Sequence, residues 1–226
     1  EKQNSTLHIK QRRYMLESGK KSKDGLWSIP LSVGLKDELF QKLFTKKFTS
    51  IKLPQNNIGF VANFGRKGFY RVKYDKGIML DLKMLVDQKQ ISAIDRWAIQ
   101  NDLFSLCLSG DESVRNYLDF SDAYYDEDSY LASINVAHNL SSLYFRSFNE
   151  EFSKEIQSYA VNYLKKILYD LGWTPKKSDK HTDALLRGFA ISTLGKLDDD
   201  EVIIESENRY KQFLKNPNSL PPDLIE

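Results

Sequence analysis

Hydrophobic residues in this chain recur at every second position up to about Asp75, and at every third or fourth position from Ile78 onward. The two periods belong to different backbones. A strand sends alternate side chains to opposite faces, whereas a helix returns to the same face after about 3.6 residues. A chain that changes period once, near one third of its length, must build β-structure first and helices afterwards.

In the first part, Trp27, Ile29, Leu31 and Val33 share one face, with Leu26, Ser28, Pro30 and Ser32 on the other. The segments "LHIKQRRYML" (7–16) and "NIGFVANF" (57–64) read the same way, the second placing Ile58, Phe60, Ala62 and Phe64 on one side. Pro30 has no N–H to give to a ladder, so its strand is expected at an edge or a bulge. Ser18 to Gly25 is a polar turn between the first two strands. In "GRKGFYRVKYD" (65–75), Gly65 to Gly68 reads as a hairpin turn whose glycines supply positive φ, followed by a last strand. That strand would put Tyr70, Val72 and Tyr74 on one side and Phe69, Arg71 and Lys73 on the other. Several short strands joined in this way predict a small β-sandwich.

In the second part, Phe152, Ile156, Tyr159, Tyr163, Ile167 and Leu171 form one apolar stripe on a helix that stops at Gly172, a good C-cap. Tyr130, Ile134, Ala137, Tyr144 and Phe148 form another. Ser92, with Asp95 three residues on, resembles a capping box opening a helix that carries Ile99, Leu103 and Leu106. Further helices are predicted near 79–86, 113–120, 182–194 and 200–214. Six or seven antiparallel helices with short links make a bundle or the start of an α-solenoid. The closing "NPNSLPPDLIE" (216–226) is a proline-punctuated linker.

Composition narrows the function. The 226 residues, 41% hydrophobic and 28% charged, suffice for one good core or two modest ones. No apolar run approaches the roughly 20 residues that cross a bilayer, and the N-terminus is neither a signal nor a transit peptide. The expectation is a soluble, cytoplasmic protein without membrane partners. Its first residue is glutamate rather than methionine, which is expected of a piece of a longer chain. A single cysteine, Cys107, forbids an intrachain disulfide. Residues 1–75 hold 16 Lys+Arg and 6 Asp+Glu, net +10, so the remainder of a chain totalling +2 carries −8. Such asymmetry can mark a nucleic-acid face. Here the basic residues are scattered through alternating strands with no recognisable binding module, and no nucleic-acid partner is expected.

The residues that could carry chemistry are sparse. The three histidines sit in "HIKQR", "HNLSS" and "HTDAL", none followed by glutamate and no two close, so no HExxH zinc helix is present. His138 shares a face with Leu131, Ile134 and Phe145 and reads as a packed or edge-of-core residue. Cys107, beside Leu106, reads as a small core residue. Asp126, Glu127 and Asp128 fall where a helix should begin, so helix capping is their default role. "GRKG" lacks the spacing of a phosphate loop. Asp95, Ile99, Asp102 and Leu106 lie on one helical face, which draws two acids toward the core, and buried acids need partners. Arg187 poses the same problem with opposite sign, and Asp183 stands one turn back. Structural ion pairs are the default, with substrate contact the alternative.

The order of the motifs carries more than any of them alone. "LWSIPLSV", "NFGRKGFYRVKYD", "ISAIDRWAIQNDLFSLCLSG", "YYDEDSY", "LYDLGW" and "DALLRGFAISTLGKLDDDEVIIES" follow one another along nearly the whole chain. In that order the chain resembles the C-terminal region of the M1 (gluzincin) zinc aminopeptidases, in particular the tricorn-interacting and endoplasmic-reticulum types. It departs from them at Phe60, where the family often has tryptophan, and at Leu131, Ala132 and Ser133, where the usual tryptophan is missing.

The resemblance implies a multidomain α+β protein. A small antiparallel β-sandwich would span 1–76, and 77–226 would be the first part of a larger HEAT/armadillo-like helical array, an incomplete C-terminal helical domain. It implies a parent enzyme that removes N-terminal amino acids from peptides, with its zinc, HExxH and GAMEN motifs in a catalytic domain outside this segment. No cofactor and no catalytic or metal-binding residue is carried over to this chain. Asp95, Arg96 and Asp102 match a DRxxLxxD motif and Arg187 an LLR motif, as candidates for substrate contact or structural pairing. The implied partners are the catalytic domain, peptide substrates and a larger protease assembly. The alternative function is a helical protein-interaction module without peptidase role.

Overall fold

The structure is a computed structural model that describes residues 2–3, 6–16, 25–35, 38–53 and 59–224. Of the predicted turn at 18–25, residues 18–24 lie outside the described residues, as does Ile58. The chain divides into two compact units, one ending at Glu127 and one beginning at Asp128.

The first unit opens with two small antiparallel sheets. Strands β1 (Lys2–Gln3), β2 (Thr6–Lys10) and β5 (Phe48–Lys52) form one, in the order β1-β2-β5. Strands β3 (Ile29–Leu35), β4 (Glu38–Phe44) and β6 (Val61–Ala62) form the other, in the order β4-β3-β6. Leu31, Val33 and Phe44 are buried, but Ser32 on the other face of β3 is buried too and Trp27 is 37% exposed, so the predicted two faces are kept only in part. Pro30 lies on the central strand, which the proline alone would not predict. The exception is local, because β6 pairs with Val33 and Gly34, and at Pro30 β4 alone flanks β3 among the described residues. Just after β2, Gln11 ties this strand to two other segments. Its buried amide donates to the carbonyls of Trp27 (3.2 Å) and Lys46 (2.8 Å) and accepts from Trp27 N (2.9 Å).

Helices α1 (Lys76–Asp87), α2 (Ala93–Leu108) and α3 (Val114–Ser121) complete this unit. Asp75, Ser92 and Ser113 each cap one through a side-chain oxygen that accepts from the backbone N–H three residues on. Helix α2 is buried on most of its circumference, Asp95, Arg96, Gln100 and Asp102 included. The second unit contains α4 (Tyr130–Arg146), α5 (Ser153–Leu171), α6 (His181–Lys196) and α7 (Asp200–Lys215). Seven α-helices therefore follow the sheets among the described residues, an α+β fold with an array of helices. Helix α5 buries Ile156, Tyr163 and Ile167 along its stripe and ends at Gly172, whose φ of 68° suits a residue without Cβ.

One strand is corrected. Residues 69–75 join no ladder, and Phe64–Arg66 form a 3₁₀ turn instead of a hairpin. The alternation survives nevertheless, with Tyr70, Val72 and Tyr74 turned inward and Phe69, Arg71 and Lys73 exposed. Two of its backbone groups meet side chains instead of a neighbouring strand, Tyr70 O at Asn63 and Val72 N at Asp102.

Candidate functional site

The densest polar cluster joins the turn at 63–72 to helix α2. Three residues of this turn have left-handed backbone, Asn63 (φ 57°), Gly65 (φ 69°) and Arg66 (φ 56°). For Arg66 that conformation is strained, so something must impose it. Asn63 supplies the inner clamp, because its buried amide donates to Gly68 O (2.8 Å) and Tyr70 O (2.9 Å) and accepts from Gly68 N (2.8 Å). Gly68 is required for space, not for φ, since a Cβ there would lie 2.2 Å from Tyr70 Cε1.

Helix α2 supplies the outer clamp. Asp95 Oδ1 accepts from Gly65 N at 2.7 Å, while Oδ2 accepts from Ser92 Oγ at 2.6 Å. Asp102 Oδ2 accepts from Val72 N (2.9 Å) and from Arg66 Nη1 (2.7 Å). The same Nη1 is 2.7 Å from Oδ1, close enough to pair electrostatically, but Oδ1 receives no hydrogen bond. The Arg66 guanidinium also lies over Trp97, 5.7 Å from the ring centre. Farther along the segment, Tyr70 Oη accepts from Ser32 N (3.2 Å) and Tyr74 Oη from Ala62 N (3.0 Å). Burial pushes the Tyr74 hydroxyl well above its ordinary range.

Asp95 and Asp102 thus act on one turn. Arg96 does not join them. Its Nε and Nη2 donate to Glu127 Oε2 (2.7 Å) and Oε1 (2.6 Å), a planar fork on a carboxylate, and its Nη1 donates to Ile91 O (2.9 Å). The side chains of this pair are 7% and 1% exposed. Glu127, expected to cap α4, is instead the counterion of a buried arginine, and the cap position belongs to Ser129.

In the second unit, Arg187 on α6 is fully buried. Its Nε donates to Gly172 O (2.8 Å), and its Nη2 contacts Leu171 O (3.4 Å) and pairs with Asp179. Asp179 is its partner rather than the predicted Asp183, whose carboxylate accepts from Lys180 N at the start of α6. The Lys176 N–H, and then Arg187, hold the Asp179 carboxyl below its usual range. His138 is exposed on α4, 6.4 Å from the Phe189 ring, at the rim of a shallow groove of about 480 Å³ that Arg146 and Lys196 also line.

Burial pushes the Asp102 carboxyl above the usual range, against the opposing pull of Arg66 and Val72 N. The folded state therefore keeps this proton to higher pH than the unfolded chain. The group favours the fold most below the unfolded value of 3.8, and that contribution is lost as pH rises through the raised folded value. Measured by urea unfolding across pH, the parent chain is expected to lose stability relative to Asp102→Asn as pH rises from about 4. A pH-independent difference between the two would contradict this assignment.

The chemistry available to the cluster is limited. The Asp95, Asp102 and Glu127 carboxylates are already engaged by donors, and burial raises the Cys107 thiol to about 12, so at neutral pH it is no thiolate nucleophile. Among the described residues, no group of three or more His, Cys, Asp and Glu is arranged to hold a metal ion. No helix there is long and apolar enough to cross a membrane.

Comparison with known proteins gives this architecture a family context. Residues 60–226 match the family described as "ERAP1-like C-terminal domain". Over 96% of its length the chain is 30% identical to Aminopeptidase M1-B, and 29% identical to Aminopeptidase M1-D, both of Oryza sativa subsp. japonica. It is 28% identical over 77% of its length to the Tricorn protease-interacting factor F2 of Thermoplasma volcanium, covering 21% of that protein. The chain spans 26% of each rice relative.

Proposed function

The chain belongs to the ERAP1-like C-terminal domain family, and from this premise we propose that it is a non-catalytic C-terminal segment of a zinc aminopeptidase that removes N-terminal residues from peptides. The match over 60–226 carries this reading, supported by similarity to M1 aminopeptidases along 96% of the chain. The reading assigns the zinc to the catalytic domain of the parent enzyme. The role left to this segment is to wall the peptide chamber and to support that catalytic domain in the same polypeptide.

In this reading 1–76 and 77–226 are successive domains of the parent enzyme. Asp95 and Asp102 fix the turn that joins them, while Arg96 and Arg187 are structural ion-pair residues. Their burial and the partners held by Asp95, Arg96, Asp102 Oδ2 and Arg187 Nε and Nη2 support a structural role over substrate contact, although Asp102 Oδ1 and Arg187 Nη1 are buried without a hydrogen bond. The enzyme would act in the cytoplasm, on peptides, with docking to a larger protease assembly suggested by the name of the Thermoplasma relative. A second reading, an interaction module without peptidase role, is favoured by α7, where Ile204, Tyr210 and Leu214 are 60%, 58% and 64% exposed.

The 226-residue chain, supplied with zinc and aminoacyl amide substrates, is expected to give no turnover. Zinc-dependent release of amino acids by this chain alone would contradict the proposal.

A further inference from the structure

We propose that the groove between α4 and α6 is a docking site for an extended acidic segment of a partner protein, in which two carboxylates flank an apolar side chain. The inference goes beyond the aminopeptidase reading and does not depend on it. Spacings of about two helical turns place His138, Phe145 and Arg146 on one face of α4, and Phe189 and Lys196 on one face of α6, and these faces line the groove. No Asp or Glu lines it. Arg146 and Lys196 end their helices, where a cation complements the dipole, but that leaves their N–H donors open. Arg146 Nε donates to Ser142 Oγ at 3.3 Å, and among the described residues neither cation pairs with a carboxylate. Lys165, Lys166 and Arg209 in the same unit each hold one. The groove is where cations of this unit converge without counter-acids.

The spread of these groups selects the occupant. His138 lies beside Phe189, and from that contact Arg146 and Lys196 are about 10–12 Å away along their helix axes. A single carboxylate or phosphate cannot reach from one end to the other. On an extended chain, side chains four positions apart point the same way and stand about 13 Å apart, so two such acids span the groove. The residue midway between them also faces inward, where exposed Phe145 and half-buried Phe189 offer it an apolar surface. A shallow groove of about 480 Å³ covers one side of what lies in it, which suits a segment laid along it better than a small molecule that must be enclosed. Each ion pair is screened by water, so binding rests on several of them together and weakens with salt.

Isothermal titration calorimetry of the full-length polypeptide that carries these residues, with the peptide acetyl-Gly-Glu-Ala-Leu-Ala-Glu-Gly-amide, tests the proposal. The blocked ends leave no amino terminus to cleave and no terminal carboxylate to capture. The expected result is saturable binding at low salt, at least about tenfold weaker for the same peptide with glutamine at both acidic positions and for the double variant Arg146→Glu, Lys196→Glu. Both substituted side chains are exposed, so the double variant should keep the thermal unfolding midpoint of the parent. Absence of binding, or equal binding of the glutamine peptide, overturns the proposal whatever the variant does. Undiminished binding by the folded double variant puts the acidic segment elsewhere on the surface and overturns it as well. So does binding of inorganic phosphate, or of a peptide whose only acid is its terminal carboxylate, when the blocked peptide does not bind, because the groove then reads a single anion.

Discussion

Replacing Glu127 with alanine is expected to destabilise the chain by about 3–5 kcal/mol, because it removes the carboxylate that the buried Arg96 engages through two hydrogen bonds. The geometry explains the size of this effect. Both side chains are nearly inaccessible, at 7% and 1%, and two parallel hydrogen bonds join them. The attraction offsets a desolvation cost that each ion incurs on its own, so removing one partner is worse than removing both. Arg96→Met combined with Glu127→Leu should therefore recover most of the loss. Urea unfolding of the two single variants and the double variant gives the coupling energy. Additive single effects would show that the two side chains do not act as a unit.

Asn63→Ala is the second large effect, at about 2–4 kcal/mol. The substitution removes three hydrogen bonds to the half-buried backbone of Gly68 and Tyr70 and puts alanine in a left-handed conformation that asparagine tolerates better. Asn63→Gly separates the two causes. It relaxes the backbone and still leaves Gly68 and Tyr70 unsatisfied, so it should restore only the smaller part of the loss. Thermal unfolding distinguishes them, and full recovery by glycine would show that φ, not the side-chain clamp, holds the turn.

These two residues also mark where sequence reasoning stops. The change of period near Asp75 was legible, as were all seven helices, because stripes spaced by three and four and capping residues such as Ser92 and Ser113 are local signals. The burial of Asp95 and Asp102 was legible too, since both fall on the apolar face of α2. Their partners were not. Glu127 reaches Arg96 across 31 residues, and Asp102 reaches Arg66 across 36, separations at which no spacing rule operates. The segment 69–75 has the alternation of a strand without a strand beside it, because alternation reports two faces and says nothing about what satisfies the backbone. Strands β4 and β5 escaped for the opposite reason. In "ELFQKLF" the apolar residues recur at spacings a helix would share, and although Phe44 is buried, Leu39 and Leu43 are exposed. Asn63 and Arg66 could have been suspected from the Asn and Gly around them, a composition that favours left-handed turns.

The role proposed for the chain ties these observations together. A polar clasp fixes the turn between sheets and helices, with Asp95 and Asp102 bonded to its backbone and to Arg66. The central claim is that such a segment serves an aminopeptidase without performing its chemistry. Peptide hydrolysis by the full-length polypeptide, assayed beside a truncation that removes these 226 residues, tests it most directly. The expected result is chelator-sensitive release of N-terminal amino acids by the full-length polypeptide and loss of that activity in the truncation. A full-length polypeptide that releases none, or a truncation that works as well as the parent, would contradict it.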